Sequence, residues 1–85
     1  MTADFSIQRR VLDVLCTLGG VALSERILVA EVAVLLPRKT DSDEIRTQLT
    51  MLEQSEFVEK QRGPLGENRW RRTPKGEAAW KDLQG

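Results

Sequence analysis

The sequence has no histidine and only one cysteine, Cys16, in its 85 residues. Histidine is the commonest metal ligand and the commonest general base in proteins, so its absence argues against metal chemistry and acid–base catalysis. A single cysteine cannot close an internal disulfide or build a zinc site from several cysteines. Because the sequence also lacks a glycine-rich phosphate loop, we expect no enzyme activity and no cofactor.

Long apolar runs are missing as well. The most apolar stretch, residues 27–36, has ten residues and includes Glu31, which makes it too short to cross a bilayer. The N-terminal segment MTADFSIQRR has neither the basic start nor the apolar run of a signal peptide. We therefore expect a single domain over residues 1–85, located in a reducing cytoplasm and with no membrane partner.

Net charge is absent too, because 13 Lys and Arg residues balance 13 Asp and Glu residues. The charges are unevenly placed along the chain. Residues 1–59 hold six basic and ten acidic side chains, whereas residues 60–85 hold seven basic and three acidic ones. A basic segment suggests a polyanion as partner. The alternative is a solvated hairpin whose charges keep its edges from pairing with other chains.

The first part of the chain predicts two helices. Apolar residues at helical spacing predict a first helix over residues 5–18, started by Asp4 or Ser6 and ended by a pair of glycines. Ser24 is a candidate N-cap for a second helix, which contains ILVAEVAVLL and ends at Pro37. Because this short segment is apolar on nearly every side, a strand is the alternative to a helix. If it is a helix, it must be buried on more than one side.

A third helix follows, with a better defined pattern. Asp41 and Glu44 form a capping-box-like start, and the core stripe of this helix is Ile45, Leu49 and Leu52. The opposite face is polar, so we expect this helix to have one buried and one exposed side.

The last third of the chain predicts a hairpin and a fourth helix. Residues 57–62 and 69–72 read as strands on either side of a loop with Gly and Pro, and strand alternation places Trp70 toward the core. Thr73-Pro74 then starts a helix, with Thr as N-cap and Pro at the first helical position. We expect Trp80 and Leu83 to be its buried residues.

This order of three helices, a basic hairpin and a final helix is the plan of a winged helix-turn-helix. The segment EIRTQLTMLEQSEFVEK is similar to the recognition helix and first wing strand of winged-helix DNA-binding domains, and WRRTPKGEA is similar to their second wing strand and next helix start. The likeness is good over residues 40–79 and is one of pattern over residues 5–36. It implies an α+β fold, a three-helix bundle with a two-stranded β-hairpin wing and a short C-terminal helix, as in small prokaryotic, archaeal or phage transcription regulators.

Two positions depart from the pattern of these domains. Glu56 stands where glycine often precedes the apolar pair after the recognition helix, so it must adopt a strained conformation or a different turn. Arg72 stands where an inward leucine is common, and we expect its stem to lie along the core edge with its charged head in water.

The resemblance also implies which residues bind double-stranded DNA. The recognition helix, about residues 42–55, would lie in the major groove, where Arg46 would read a guanine, and the wing, residues 57–73, would lie on the backbone or in the minor groove. Lys75 would hold a phosphate at the start of the last helix. The predicted DNA-binding residues are Arg38, Lys39, Ser42, Arg46, Thr47, Thr50, Lys60, Arg62, Arg69, Arg71 and Lys75.

Acidic residues oppose this interpretation. Asp41, Asp43 and Glu44 crowd the start of the recognition helix, and the sequence pI is near 6.3. The alternative is a winged-helix docking module that binds a protein through apolar residues such as Val29, Val32 or Leu36. A homodimer is a further candidate, formed by the apolar second helix or the ends of the first and last helices.

Overall fold

The computed structural model describes residues 2–85. Along the chain, its elements are α1 (Phe5–Thr17), β1 (Leu23–Ser24), α2 (Glu25–Leu35), α3 (Ser42–Gln54), β2 (Val58–Arg62), β3 (Asn68–Arg72) and α4 (Pro74–Gln84). The predicted order of helices and hairpin strands is confirmed, with the short strand β1 added. Within residues 2–85, none of the helices is long and apolar enough to span a membrane.

Local capping sets the ends of α1. The Asp4 carboxylate accepts hydrogen bonds from the backbone N–H groups of Ser6 and Ile7, at 3.1 and 3.3 Å. After the last turn Gly19 takes a φ of +77°, which glycine adopts without the cost that a Cβ would add. Of the apolar stripe that the spacing predicts, Ile7, Val11 and Leu15 are buried and Val14 is half-buried, whereas Leu18 lies after the last turn and is 42% exposed.

The segment ILVAEVAVLL lies within and just after α2, so the strand alternative is wrong. Ser24 caps the helix as predicted, with its hydroxyl oxygen 3.4 Å from the backbone nitrogen of Ile27. Only one side of this apolar helix is covered: Leu28, Val29 and Val32 are buried, whereas Val34 is 82% exposed.

Helix α3 packs its predicted stripe into the core, and Ile45, Leu49 and Leu52 are all buried. Asp41 caps the helix by accepting a hydrogen bond from the Asp43 backbone N–H at 3.0 Å. The expected capping box is not completed, because the Glu44 carboxylate pairs with Arg38 instead of returning to the Asp41 backbone.

A buried glutamine on α3 ties the N-terminal segment to this helix. Gln48 Oε1 accepts hydrogen bonds from the Asp4 backbone N–H and from Gln8 Nε2, both at 2.9 Å. Gln48 Nε2 donates to the Thr2 carbonyl at 3.0 Å. Its side chain is therefore satisfied although the residue is only 4% exposed.

The sheet has three antiparallel strands in the order β1-β3-β2. In the hairpin, Lys60 pairs with Trp70 and Glu59 with Arg71. Strand β1 adds to the other edge of β3, with Leu23 opposite Trp70. Trp70 faces the core, as predicted, and is 2% exposed. We call β2, β3 and the loop between them the wing.

The turn between α3 and the wing contains the predicted departure from glycine. Glu56 adopts a φ of +66°, the left-handed conformation that is costly for a residue with a Cβ. The Thr73 hydroxyl donates to the Glu56 carbonyl at 2.6 Å, and the Thr73 backbone N–H donates to the Phe57 carbonyl at 3.1 Å. These bonds hold the start of α4 against the turn.

Helix α4 begins as the Thr-Pro pair predicted, since the Thr73 hydroxyl accepts the Gly76 N–H at 3.0 Å. Trp80 is partly buried and donates its indole N–H to the Asp13 carboxylate on α1 at 2.8 Å. The expectation for Leu83 is wrong, because it lies in the last turn and is 47% exposed.

Candidate nucleic-acid interface

The polar side of α3 presents most of the residues predicted to meet DNA bases. Ser42, Arg46 and Thr50 are exposed. The Thr50 hydroxyl donates to the Arg46 carbonyl at 3.2 Å and is occupied by its own helix. Thr47 is half-buried beside the N-terminal segment, in the groove that Thr2 and Phe5 also line. Arg46 is thus the one long exposed donor among the predicted residues of α3.

Two carboxylates hold the Arg46 guanidinium. Its Nε lies 3.3 Å from Glu25 Oε2, at the start of α2. One terminal nitrogen lies 3.4 Å from Asp43 Oδ1, one turn earlier on α3. The two partners differ in burial, since the Glu25 side chain is 22% exposed and the Asp43 side chain is 89% exposed.

Glu25 also connects α3 to the wing. Its second oxygen, Oε1, accepts the indole N–H of Trp70 at 3.0 Å. On the same wing face, the Lys60 ammonium lies 5.8 Å from the centroid of a Trp70 ring. Contacts therefore run from Lys60 and Trp70 through Glu25 to Arg46. In the sequence, Glu25 is only an acidic residue in the first turn of a helix, where the helix dipole favours a negative charge, and no short-range signal marks this bridge.

Two wing arginines, Arg69 and Arg71, are paired inside the hairpin. Arg69 donates to Glu67 Oε2 from Nε and from a terminal nitrogen, at 3.2 and 3.1 Å. Arg71 pairs with Glu59, its direct cross-strand neighbour. Exposed opposite charges at facing strand positions attract weakly, so this pairing has an ordinary cause in strand register.

Glu67 also organises the wing loop. Its carboxylate accepts the Leu65 backbone N–H at 3.0 Å. Hydrogen bonds from its own backbone N–H, from that of Leu65 and from the Arg69 guanidinium hold the pKa of Glu67 below its ordinary value. The exposed Arg62 closes the loop, with a terminal nitrogen 3.5 Å from the Gly66 carbonyl oxygen.

Arg38, in the loop before α3, is also neutralised. It contacts Asp4 and Glu44, each at 3.2 Å, and the hydrogen bond with Glu44 is the main reason that the pKa of Arg38 is raised. Its neighbour Lys39 is exposed and forms no ion pair with residues 2–85. The contacts do not connect either residue to the group around Glu25.

Lys75 lies in the first turn of α4, and its ammonium is 5.2 Å from the centroid of the Phe57 ring. It is exposed, as a phosphate-binding residue must be, but it belongs to the α4 side of the turn and not to the contacts around Glu25.

The expectation for Arg72 is wrong. Its charged head does not extend into water but donates to the Cys16 carbonyl at 3.3 Å and pairs with Glu77 at 3.1 Å. The guanidinium thus satisfies a carbonyl at the C-terminal end of α1, where a positive charge is favourable. Cys16 itself is buried in the core, and this burial raises the pKa of its thiol.

Comparison with known proteins gives matches of structure only. No protein-family model matches the sequence, and no curated protein gives a match. The fold is similar to that of F93 from STIV, described as a winged-helix DNA-binding protein, with a TM-score of 0.74 and 18% identity over 89% of this chain and 80% of F93. It is also similar to the PcaV transcriptional regulator from Streptomyces coelicolor, in complex with its natural ligand, with a TM-score of 0.70 and 22% identity.

The match to PcaV covers 87% of this chain and 48% of that regulator. Identities this low support the fold and no finer property. The fold prediction is confirmed by both neighbours and by the elements described above. By its fold, the chain is a winged helix-turn-helix domain of the α+β class.

Proposed function

We propose that this protein binds double-stranded DNA and acts as a small cytoplasmic transcriptional regulator without enzyme activity. Its α3 would lie in the major groove and its wing on the backbone or in the minor groove. The two structural neighbours support this at a coarse level, since one is described as a DNA-binding protein and the other as a transcriptional regulator.

The observation that carries the proposal is the placement of Arg46. It is exposed on the polar side of α3, and its contacts through Glu25 reach the wing residue Trp70. A guanidinium has five N–H donors, and the contacts with Glu25 and Asp43 use two of them. The remaining donors suit the two acceptors that guanine presents in the major groove, O6 and N7.

Other basic side chains would position the protein on phosphates. Lys39, Lys60 and Arg62 are exposed and form no ion pair with residues 2–85. The paired residues Arg38, Arg69 and Arg71 would exchange a carboxylate for a phosphate. Exposed ion pairs contribute only about 0–1 kcal/mol, so this exchange is not prohibitive. Lys75 would add a phosphate contact at the start of α4.

Fluorescence anisotropy with a random-sequence duplex at two salt concentrations tests the proposal. We expect binding at low salt that weakens steeply as salt is added, because phosphate contacts release counterions. Arg69→Ala should weaken binding to all sequences alike and reduce the salt dependence. Arg46→Ala should instead relax base preference, by about 1–3 kcal/mol of discrimination at one base pair.

Two outcomes would contradict the proposal. Absence of binding to any duplex at low salt would remove DNA as partner. Parent-like binding by both variants would leave DNA binding intact but place the interface elsewhere.

An apolar groove between α1 and α2 keeps protein docking as a second candidate function. The groove has a volume of about 530 Å³ and is lined by Leu18, Ile27 and Leu35, which are 42–48% exposed. The prediction that Val29 and Val32 form a docking surface is wrong, because both side chains are buried. Leu36 is half-buried.

A second copy is the occupant to test first. Glu31 and Arg10 also line the groove, and Arg10 is paired with Asp13 at 2.7 Å. A two-fold arrangement would bring Glu31 of one copy near Arg10 of the other. Sedimentation equilibrium tests for this homodimer. A dimer held by the groove should persist as salt is added and should dissociate more readily in the variant Ile27→Glu. A monomer at high micromolar concentration excludes the homodimer.

A further inference from the structure

We propose that Glu25 is a positioning residue that sets the base specificity of Arg46. This inference rests on the proposed DNA binding. It starts from the two oxygens of one carboxylate, because Oε2 holds Arg46 Nε at 3.3 Å while Oε1 holds Trp70 Nε1 at 3.0 Å. No other carboxylate in residues 2–85 joins an α3 arginine to the wing.

The anchor of this carboxylate is rigid. Trp70 is 2% exposed, lies at the centre of β3 and pairs on both sides, with Lys60 in β2 and Leu23 in β1. Glu25 itself is the first residue of α2, directly after the Ser24 cap. Both ends of the contact to Glu25 are therefore fixed by backbone structure before Arg46 is added.

Glu25 reduces the freedom of Arg46. An arginine side chain carries several rotatable bonds, and fixing them on binding costs affinity unless another group has fixed them already. Because Glu25 contacts Arg46 at Nε, it leaves the two terminal nitrogens of the guanidinium to other partners. Asp43 holds one of them, but this carboxylate is 89% exposed and can yield to a base. The geometry thus prepares Arg46 for a bidentate bond in one orientation.

The negative charge of Glu25 also favours base specificity over general affinity for DNA. The Glu25 carboxylate offsets the positive charge of Arg46, so this arginine attracts any phosphate less than an unpaired arginine would. The hydrogen bonds that Arg46 can donate to a fixed base acceptor remain. Glu25 would thereby lower affinity for DNA in general and keep affinity for one base pair.

The substitution Glu25→Gln tests this role. The glutamine amide oxygen can still accept the Trp70 indole N–H, but the negative charge beside Arg46 is lost. Glu59→Gln is the matched control, since it changes net charge equally and removes a carboxylate that pairs with Arg71 in the wing and forms no ion pair with Arg46. Affinities are measured for a duplex selected from a random pool and for duplexes with each base pair changed in turn.

We expect both variants to bind random DNA more tightly by a similar factor. Only Glu25→Gln should lose discrimination, by about tenfold at the base pair that Arg46 reads. Adding Glu25→Gln to Arg46→Ala should cause no further loss there, because without Arg46 there is no side chain for Glu25 to position. Equal base preference in Glu25→Gln and Glu59→Gln would overturn the proposal and leave Glu25 a structural residue.

Other outcomes are also decisive. If the parent binds no duplex at low salt, the proposed function fails and this role of Glu25 fails with it, whatever the variants do. If Glu25→Gln lowers the melting temperature enough to unfold the chain, Glu25→Asp replaces it. That variant keeps the negative charge at the start of α2 but shortens the side chain by one methylene, so one carboxylate can no longer reach both Arg46 and Trp70. It should also broaden base preference, and parent-like preference would refute the proposal.

Discussion

The arginine of α3 and the arginines of the wing use the same pairing chemistry over very different distances along the chain. Arg46 is held by Glu25, 21 residues before it, and Glu25 is held by Trp70, 45 residues after Glu25. Arg69 is held by Glu67, two residues away, and Arg71 by its cross-strand neighbour Glu59. Tertiary structure therefore fixes Arg46, whereas the local geometry of the hairpin pairs Arg69 and Arg71.

In the proposed DNA interface, this difference would separate two tasks. Base reading needs a donor in one orientation, which a contact anchored in the core supplies. Phosphate binding needs charge that can adjust to the backbone, and the side chains of Arg69 and Arg71 remain 42–43% exposed. The two sets of arginines can therefore differ in role although both are neutralised in the free protein.

The largest expected effect is on the stability of the fold, at Gly76 in the first turn of α4. There α4 packs against the turn that joins α3 to the wing. A Cβ on Gly76 would lie 1.9 Å from the Phe57 carbonyl oxygen, which is backbone and cannot move aside easily. We expect Gly76→Ala to destabilise the fold by about 3 kcal/mol and to lower the melting temperature by more than about 10 °C. Thermal unfolding followed by circular dichroism measures this.

Gly20→Ala is the control for Gly76→Ala, because a Cβ there has no neighbour within 4 Å and the backbone φ is not positive. Its melting temperature should match the parent. A small effect of Gly76→Ala would mean that α4 is not held tightly against the turn, and the wing would then be less fixed relative to α3 than described.

A smaller change is expected at the turn that joins the two regions. Glu56→Gly relieves a left-handed conformation, and after the added backbone entropy of glycine we expect about 0.5–1 kcal/mol of stabilisation. The hydrogen bond from Thr73 uses the Glu56 carbonyl and is retained. Urea unfolding measures the gain. Ser55→Gly, at a φ of −85°, should give none, and equal gains would show that strain at Glu56 is not the cause.

The smallest expected effect is the acid titration of Glu67 in the wing loop. Because hydrogen bonds lower the pKa of Glu67 in the folded state, they stabilise the fold above the ordinary value of 4.5, and this contribution is lost as pH falls through the folded pKa. The Leu65 amide signal in a ¹H–¹⁵N spectrum reports the change. Its midpoint should lie below 4.5 and the transition should vanish in Glu67→Gln. A midpoint at or above 4.5 would contradict the described loop.

Much of the fold could be predicted from the sequence because its signals are local. Capping by Ser24, Asp41 and Thr73 depends on residues within one turn, and the structure confirms all three. Strand alternation likewise placed Trp70 in the core. Strand β1 was not predicted, because two residues give no periodicity and form a strand only through pairing with β3.

The candidate site was less predictable. The sequence predicts which residues lie on the exposed side of α3, because this depends only on their spacing along one helix. The neutralisation of Arg46 depends instead on where Glu25, at the start of α2, lies in space. The pairing of Glu59 with Arg71 follows from register alone, so an explicit alignment of the two hairpin strands could have shown it. The bridge through Glu25 needs the packing of α2 against both α3 and β3, which no spacing in the sequence encodes.

Gln48 has a practical consequence for anyone who labels this molecule. Its amide binds the backbone of Thr2 and Asp4, so the N-terminal segment and the helix with Arg46 form one hydrogen-bonded unit. A fluorophore or affinity tag attached beside Thr2 would disturb the helix whose binding it is meant to report. The exposed end of α4, beyond Lys81, is the better place for a probe.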